Sequence, residues 1–143
     1  MVRLEAVNEE NWRIPLKVAE SQKTYVANSA VILARAFAYR NSRSEAFIIF
    51  EDDTPVGMVM YYDWESHGAY DFSQLFIDER YQGKGYGKAA TQLILDRMKK
   101  DGKYQKVCLC YIEGNDAAKR LYESFGFCEV DKYEDEITME LDI

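Results

Sequence analysis

The chain has 143 residues, 48% of them hydrophobic, which suits one domain around one core and is too apolar for a disordered chain. A formal net charge of −7 and a pI of about 4.8 argue against nucleic-acid binding, which needs a basic face, and are compatible with attraction of a cationic substrate. No apolar run reaches the roughly 18 residues of a membrane helix, and Met1 to Glu5 lack the basic-then-apolar shape of a secretory leader, so a cytoplasmic protein is expected.

Residues 2–7 read as a first strand. Asn8 offers a helix cap before Asn11, but Pro15 would kink or restart any helix there. Residues 16–25 and 29–39 read as two helical stretches, the second apolar at Val31, Ile32, Leu33, Ala36 and Phe37. Residues 46–50 form a buried strand, residues 52–55 a hairpin turn and residues 56–62 its partner strand. A strand over 70–77 leads into a glycine-dense turn, and a helix over 89–100 follows, its apolar face made by Ala89, Ala90, Leu93, Ile94 and Met98 and its end marked by Gly102. A strand over 106–112, a helix over 116–124 and a hairpin of strands 128–132 and 137–143 complete the chain. No repeat, low-complexity tract or linker interrupts this order, so residues 1–143 are expected to form a single mixed α/β domain, a sheet covered by helices.

The cysteines Cys108, Cys110 and Cys128 show no metal-binding spacing and read as small hydrophobes in a reducing compartment. The single histidine, His67, sits in a turn-like stretch with no sign of a triad or a metal site.

Chemistry concentrates in the turn after the 70–77 strand. Gly83, Gly85 and Gly87 precede a helix N-terminus, whose free N–H groups and partial positive charge suit an anion, and Arg80, Lys84 and Lys88 add cations. This is a phosphate cradle. It is no Walker loop, because Gln82 stands where the first glycine belongs and Ala89 where the magnesium-binding hydroxyl belongs. It is no dinucleotide fingerprint either, because the glycines are spaced by two and two.

What remains, Gln82-x-x-Gly85-x-Gly87, resembles the acyl-CoA pyrophosphate loop of the GNAT superfamily of N-acetyltransferases. A second segment, Asn115 through Ala118, Leu121, Tyr122, Gly126 and Phe127, resembles that family's later signature. The resemblance implies a central, mostly antiparallel sheet flanked by helices, in which the strands before the two signatures splay apart around a pantetheine arm. It implies acetyl-CoA as cosubstrate. Backbone groups of Leu75, Phe76 and Ile77 would bind the acetyl and pantetheine amides, and N–H groups from Gln82, Gly83, Lys84, Gly85, Tyr86, Gly87 and Lys88 the pyrophosphate. Asn115, Asp116, Ala117 and Ala118 would stand where the cofactor runs close, with Asn115 also suited to cap a helix.

The family's tyrosine at the position of Tyr122 protonates the departing thiolate, a role a phenol with a pKa near 10 can fill. An alkylammonium with a pKa near 10 is only ~0.1% neutral at pH 7, so an amine acceptor needs a base. Strict alternation along the strand puts Asp71, Ser73, Leu75 and Ile77 on one face and Phe72, Gln74 and Phe76 on the other. Asp71 is therefore the candidate base, Ser73 standing where polyamine-acetylating members carry a carboxylate.

The implied activity is direct transfer of acetyl from acetyl-CoA to a primary amine in a ternary complex. Residues 76–85 and 18–26 look most like those of bacterial spermine/spermidine acetyltransferases. A polyamine would require an acidic lining, for which Asp63, Glu65, Asp71 and Glu20 are the candidates. A peptide or protein amine, another small-molecule amine, and a non-catalytic acyl-CoA sensor stay open. The expected partner is a small-molecule amine, with no nucleic acid, no membrane and no metal, and a homodimer stays open.

Overall fold

The computed structural model describes residues 1–143. Strands β1 (Val2–Ala6), β2 (Glu45–Glu51), β3 (Thr54–Trp64), β4 (Ala69–Ile77), β5 (Lys106–Ile112), β6 (Cys128–Tyr133) and β7 (Glu136–Asp142) form one sheet. Helices α1 (Ser29–Ala38), α2 (Tyr86–Asp101) and α3 (Asp116–Glu123) pack on it. The strand order is β1-β2-β3-β4-β5-β7-β6, and every neighbouring pair is antiparallel except β4 and β5.

Strands β2 and β3 are apolar at almost every position because both of their faces are covered. Phe47, Ile49, Val59 and Tyr61 join a core with Ile94 and Met98 of α2 and Tyr122 of α3. Ile48, Phe50, Met58 and Met60 join a second core with Ile32 of α1 and Val18. Asn28 caps α1, its side chain accepting from Val31 N–H at 3.0 Å. No helix is long and apolar enough to cross a membrane.

Two expected helical features are absent. The side chain of Asn8 accepts from the N–H groups of Glu10 and Asn11 at 2.8 and 2.9 Å, which closes a turn without starting a helix. Residues 16–25 hold only a single 3-10 turn, Glu20–Gln22. At its start the segment is tied through Lys17 to the chain after β4. Lys17 N–H donates to Asp78 Oδ2 at 2.8 Å, and Lys17 O accepts from Glu79 N–H at 3.0 Å. Helix α2 starts at Tyr86, three residues before the expected Ala89, because Gly85 is already in the left-handed conformation (φ 84°) that turns the chain into the helix.

Asp78 joins the two segments. It is fully buried and accepts from Lys17 N–H, from Arg80 N–H at 3.0 Å and from the Arg80 guanidinium at 2.9 and 3.1 Å. The Arg80 side chain, with the backbone donors, holds its pKa down at about 2. A carboxylate depressed in the folded state stabilises the fold above its unfolded value near 3.9, and that contribution is lost as pH falls from about 4 toward 2. Asp78→Ala should cost about 1–3 kcal/mol, because it leaves two backbone donors unpaired. Its melting temperature should also fall less than the wild type's between pH 5 and pH 2. Parallel acid melting curves for the two proteins would refute this role.

Candidate active site

Strands β4 and β5 pair only at Tyr70 with Val107 and Asp71 with Cys108. Beyond that point they part. Just above the junction the β3–β4 ladder is irregular: Met60 faces Gln74 while Tyr62 faces Asp71, so β4 spends three steps where β3 spends two. This is a β-bulge in β4, and it bends the strand as it leaves its parallel neighbour. The gap is a cleft of about 500 Å³. One wall is Phe72 through Ile77, and the other is Cys110, Tyr111, Asn115, Ala117, Ala118, Leu121 and Tyr122. With the strands parted, backbone groups of Leu75, Phe76 and Ile77 on this side of β4 have no β5 partner.

The loop after β4 closes one end of the cleft. Gly83 and Gly85 both have left-handed backbones, φ 76° and 84°, and an added Cβ at either would meet no protein atom within 4 Å. Their glycines are thus required by conformation rather than by crowding from the chain itself. The ladder of α2 begins with Ala89 N–H donating to Gly85 O at 3.0 Å, so the amides of Tyr86, Gly87 and Lys88 are spare donors at the positive end of the helix. Gln82, Gly83, Gly85, Tyr86, Gly87 and Lys88 line the cleft. Lys84 does not, and Arg80 is committed to Asp78.

Asn115, only 5% exposed, faces the cleft and caps α3 by accepting from Ala118 N–H at 3.3 Å. Ala117 and Ala118 line the wall, whereas Asp116 is exposed on the first turn of α3 and does not. The remaining rim was not legible in the sequence. Val18, Gln22 and Tyr25 come from the segment read as a helix, which instead runs along the cleft together with the following Val26.

Tyr122 is buried at the cleft wall, with its ring edge-on to Phe72 (5.9 Å) and Phe127 (5.8 Å). The carbonyl of Tyr122 accepts from Phe125 and Phe127 N–H at 3.1 and 3.2 Å, and Gly126 (φ 98°) makes that return turn. Burial alone raises the phenol's pKa well above its ordinary value, so the group is a proton donor throughout the neutral range.

The bulge overturns the expected faces of β4. Tyr70, Phe72, Leu75 and Ile77 all pack toward α2, while Phe76 packs with Ile32 of α1. The extra residue switches the alternation between Phe72 and Leu75, so Asp71 does not share a face with Leu75 and Ile77. Asp71 lies instead on the α1 side with Tyr62 and does not line the cleft. Burial raises its pKa, opposed by the Tyr62 hydroxyl and the Arg35 charge. Tyr62 in turn is stacked on Tyr39, ring centroids 4.0 Å apart.

The other expected acidic residues do not gather at the cleft. Asp63 is buried on the α2 side, paired with Arg43 at 2.6 and 3.1 Å and Lys103 at 3.1 Å, because a carboxylate there must be neutralised. Glu65 is exposed in the turn between β3 and β4, and Glu20 is exposed and paired with Lys23 at 2.6 Å. No carboxylate lines the cleft; at Cys110 its wall carries a thiol 3.4 Å from the Thr138 hydroxyl.

The sequence model of the Acetyltransferase (GNAT) family matches residues 4–127. The spermine/spermidine N(1)-acetyltransferase of Bacillus subtilis is 31% identical over 134 residues, covering 88% of this chain and 87% of that protein. An acetyltransferase from Thermus thermophilus superposes with a TM-score of 0.81 at 16% identity, covering 99% of this chain and 97% of the other. The spermidine N-acetyltransferase of Vibrio cholerae, solved with CoA and spermine, superposes with a TM-score of 0.78 at 19% identity, over 99% and 95% of the two chains. These solved structures share the fold, and the family match, spanning most of the chain, makes it a member of the GNAT acetyltransferase family and an acyltransferase enzyme.

Proposed function

We propose that this acetyltransferase moves the acetyl group of acetyl-CoA to a primary amine of a polyamine, by direct attack within the cleft. The observation that carries the transfer chemistry is the cleft itself. Spare helix amides and Lys88 close one end, which suits a pyrophosphate, and the buried Tyr122 stands on its wall. The relative of B. subtilis, a spermine/spermidine acetyltransferase by name, supports a polyamine as the acceptor.

In this reading the pantetheine arm lies in the splay, its amides paired with the open backbone of Leu75, Phe76 and Ile77. The neutral amine attacks the thioester carbonyl, the C–N bond forms and the C–S bond breaks. The departing thiolate takes a proton from the Tyr122 hydroxyl. Asp71 stands on the α1 side, off the cleft wall, so it takes the proton lost by the amine through intervening water; burial raises its pKa. Tyr39 and Tyr62 offer aromatic surface beside Asp71 for a cationic chain.

Spermidine and spermine should be acetylated with a kcat/KM at least tenfold above that of a monoamine of similar length or a lysine peptide. Added salt should raise the polyamine's KM by screening the attraction between a cationic substrate and a chain of net charge −7. A steady-state panel of these amines is the test. Polyamines inert beside an active monoamine or peptide would end the polyamine assignment while leaving the transfer chemistry standing.

A further inference from the structure

Away from the phosphate loop, the fold brings together a second group of reactive side chains. His67 lies on the turn between β3 and β4, with its ring stacked on Trp64 at 4.3 Å between centroids. Gly68 (φ 65°) closes that turn, its N–H donating to Glu65 O at 3.0 Å. Cys108 of β5 and Glu140 of β7 are direct partners in the sheet. His67 Nε2 is 2.9 Å from Glu140 Oε2, Cys108 Sγ is 3.5 Å from the same oxygen, and the three donor atoms all lie within 4.8 Å of one another. Lys106 Nζ meets the other oxygen, Glu140 Oε1, at 3.5 Å, which leaves Oε2 to the histidine and the thiol.

We propose that His67, Cys108 and Glu140 form a binding site for one divalent transition metal of the zinc class, with the fourth position open to water.

The donor set selects the ion. A thiolate and an imidazole favour zinc-like borderline ions and disfavour magnesium and calcium, which take oxygen ligands. Tetrahedral donors at zinc distances of 2.0–2.3 Å stand about 3.3–3.8 Å apart. Two of the three separations are already at or inside that range. Only the histidine and the thiol must approach by up to about 1 Å, and the half-exposed imidazole on its turn is free to do so. Trp64 fixes the plane of the ring, the role a supporting contact plays around a metal ligand. Metal binding displaces the Cys108 proton and leaves the imidazole proton on Nδ1. Sequence spacing could not reveal the site, because its ligands come from three segments that meet only when β5 pairs with β7 and the β3–β4 turn folds over them.

The test is titration of the chelator-treated, reduced protein with Co²⁺, whose thiolate complexes give a near-ultraviolet charge-transfer band. One Co²⁺ per chain should bind with that band, Zn²⁺ should displace it, and Zn²⁺ should raise the melting temperature. Cys108→Ser should abolish the band, and His67→Ala and Glu140→Gln should each weaken binding at least tenfold. Cys110→Ser and Cys128→Ser should bind as the wild type does. His67→Ala changes an exposed turn, so its fold can be verified separately by melting. Absence of the band, a band unaltered in His67→Ala, or a band lost in Cys110→Ser would each overturn the assignment.

Discussion

Tyr122→Phe should lower turnover by about 10²–10⁴-fold at saturating acetyl-CoA and amine, while leaving acetyl-CoA affinity within about twofold. The substitution keeps the ring that packs against Phe72 and Phe127 and removes only the proton donor. Without that donor the thiolate departs unprotonated in a cleft walled by apolar side chains, where its charge is poorly solvated. Because burial holds the phenol's pKa above its usual value near 10, no alkaline loss of activity below about pH 10 should arise from Tyr122 itself. Single-turnover kinetics isolate the chemical step from product release. An unchanged rate for that step in the phenylalanine variant would return Tyr122 to a packing role.

Gly85→Val should weaken CoA binding well over tenfold, more than ~1.4 kcal/mol, as read by calorimetry on the folded variant. Gly85 is the residue before α2 and holds φ 84°, a conformation that a β-branched side chain adopts only under strain of about 1–3 kcal/mol. Relief of that strain would move the spare amides of Tyr86, Gly87 and Lys88 off the anion. A Cβ at Gly87 gives a contrasting probe. It would meet Ile77 at 3.7 Å and Leu121 at 3.9 Å, ordinary contacts that the fold tolerates. Loss of CoA affinity in Gly87→Ala would therefore report close approach of the ligand rather than a disturbed loop. A folded Gly85→Val protein with undiminished CoA affinity would remove the pyrophosphate from this helix end.

The parts of the cleft that were legible are those built from neighbours in the chain. Gln82 to Lys88 form their own turn, and the left-handed glycines at 83 and 85 are a local requirement that the residue types announce. Asn115 caps the helix it precedes, and Tyr122 follows seven residues later on the face of α3 that meets the sheet. Both depend only on helical spacing. The 16–25 segment was misread for a related reason. Its composition permits a helix, but the backbone N–H and C=O of Lys17 are taken by Asp78 and Glu79, some sixty residues away, which holds the start of the segment extended.

The succession of strands and helices from 29 onward and the glycine-dense turn before α2 follow from period, caps and glycine conformation, which are properties of adjacent residues. The surroundings of each carboxylate follow instead from how distant segments pair. The bulge that turns Asp71 away from Leu75 arises from the pairing of β4 with β3, which strict alternation within one strand cannot anticipate. Asp63 is withdrawn into an ion pair by Arg43 and Lys103. The meeting of His67, Cys108 and Glu140 is of the same kind. Through-space electrostatics and coordination depend on which distant segments the sheet sets side by side, and that order, β5 beside β7 with β4 parting from β5, is written in no single stretch of the chain.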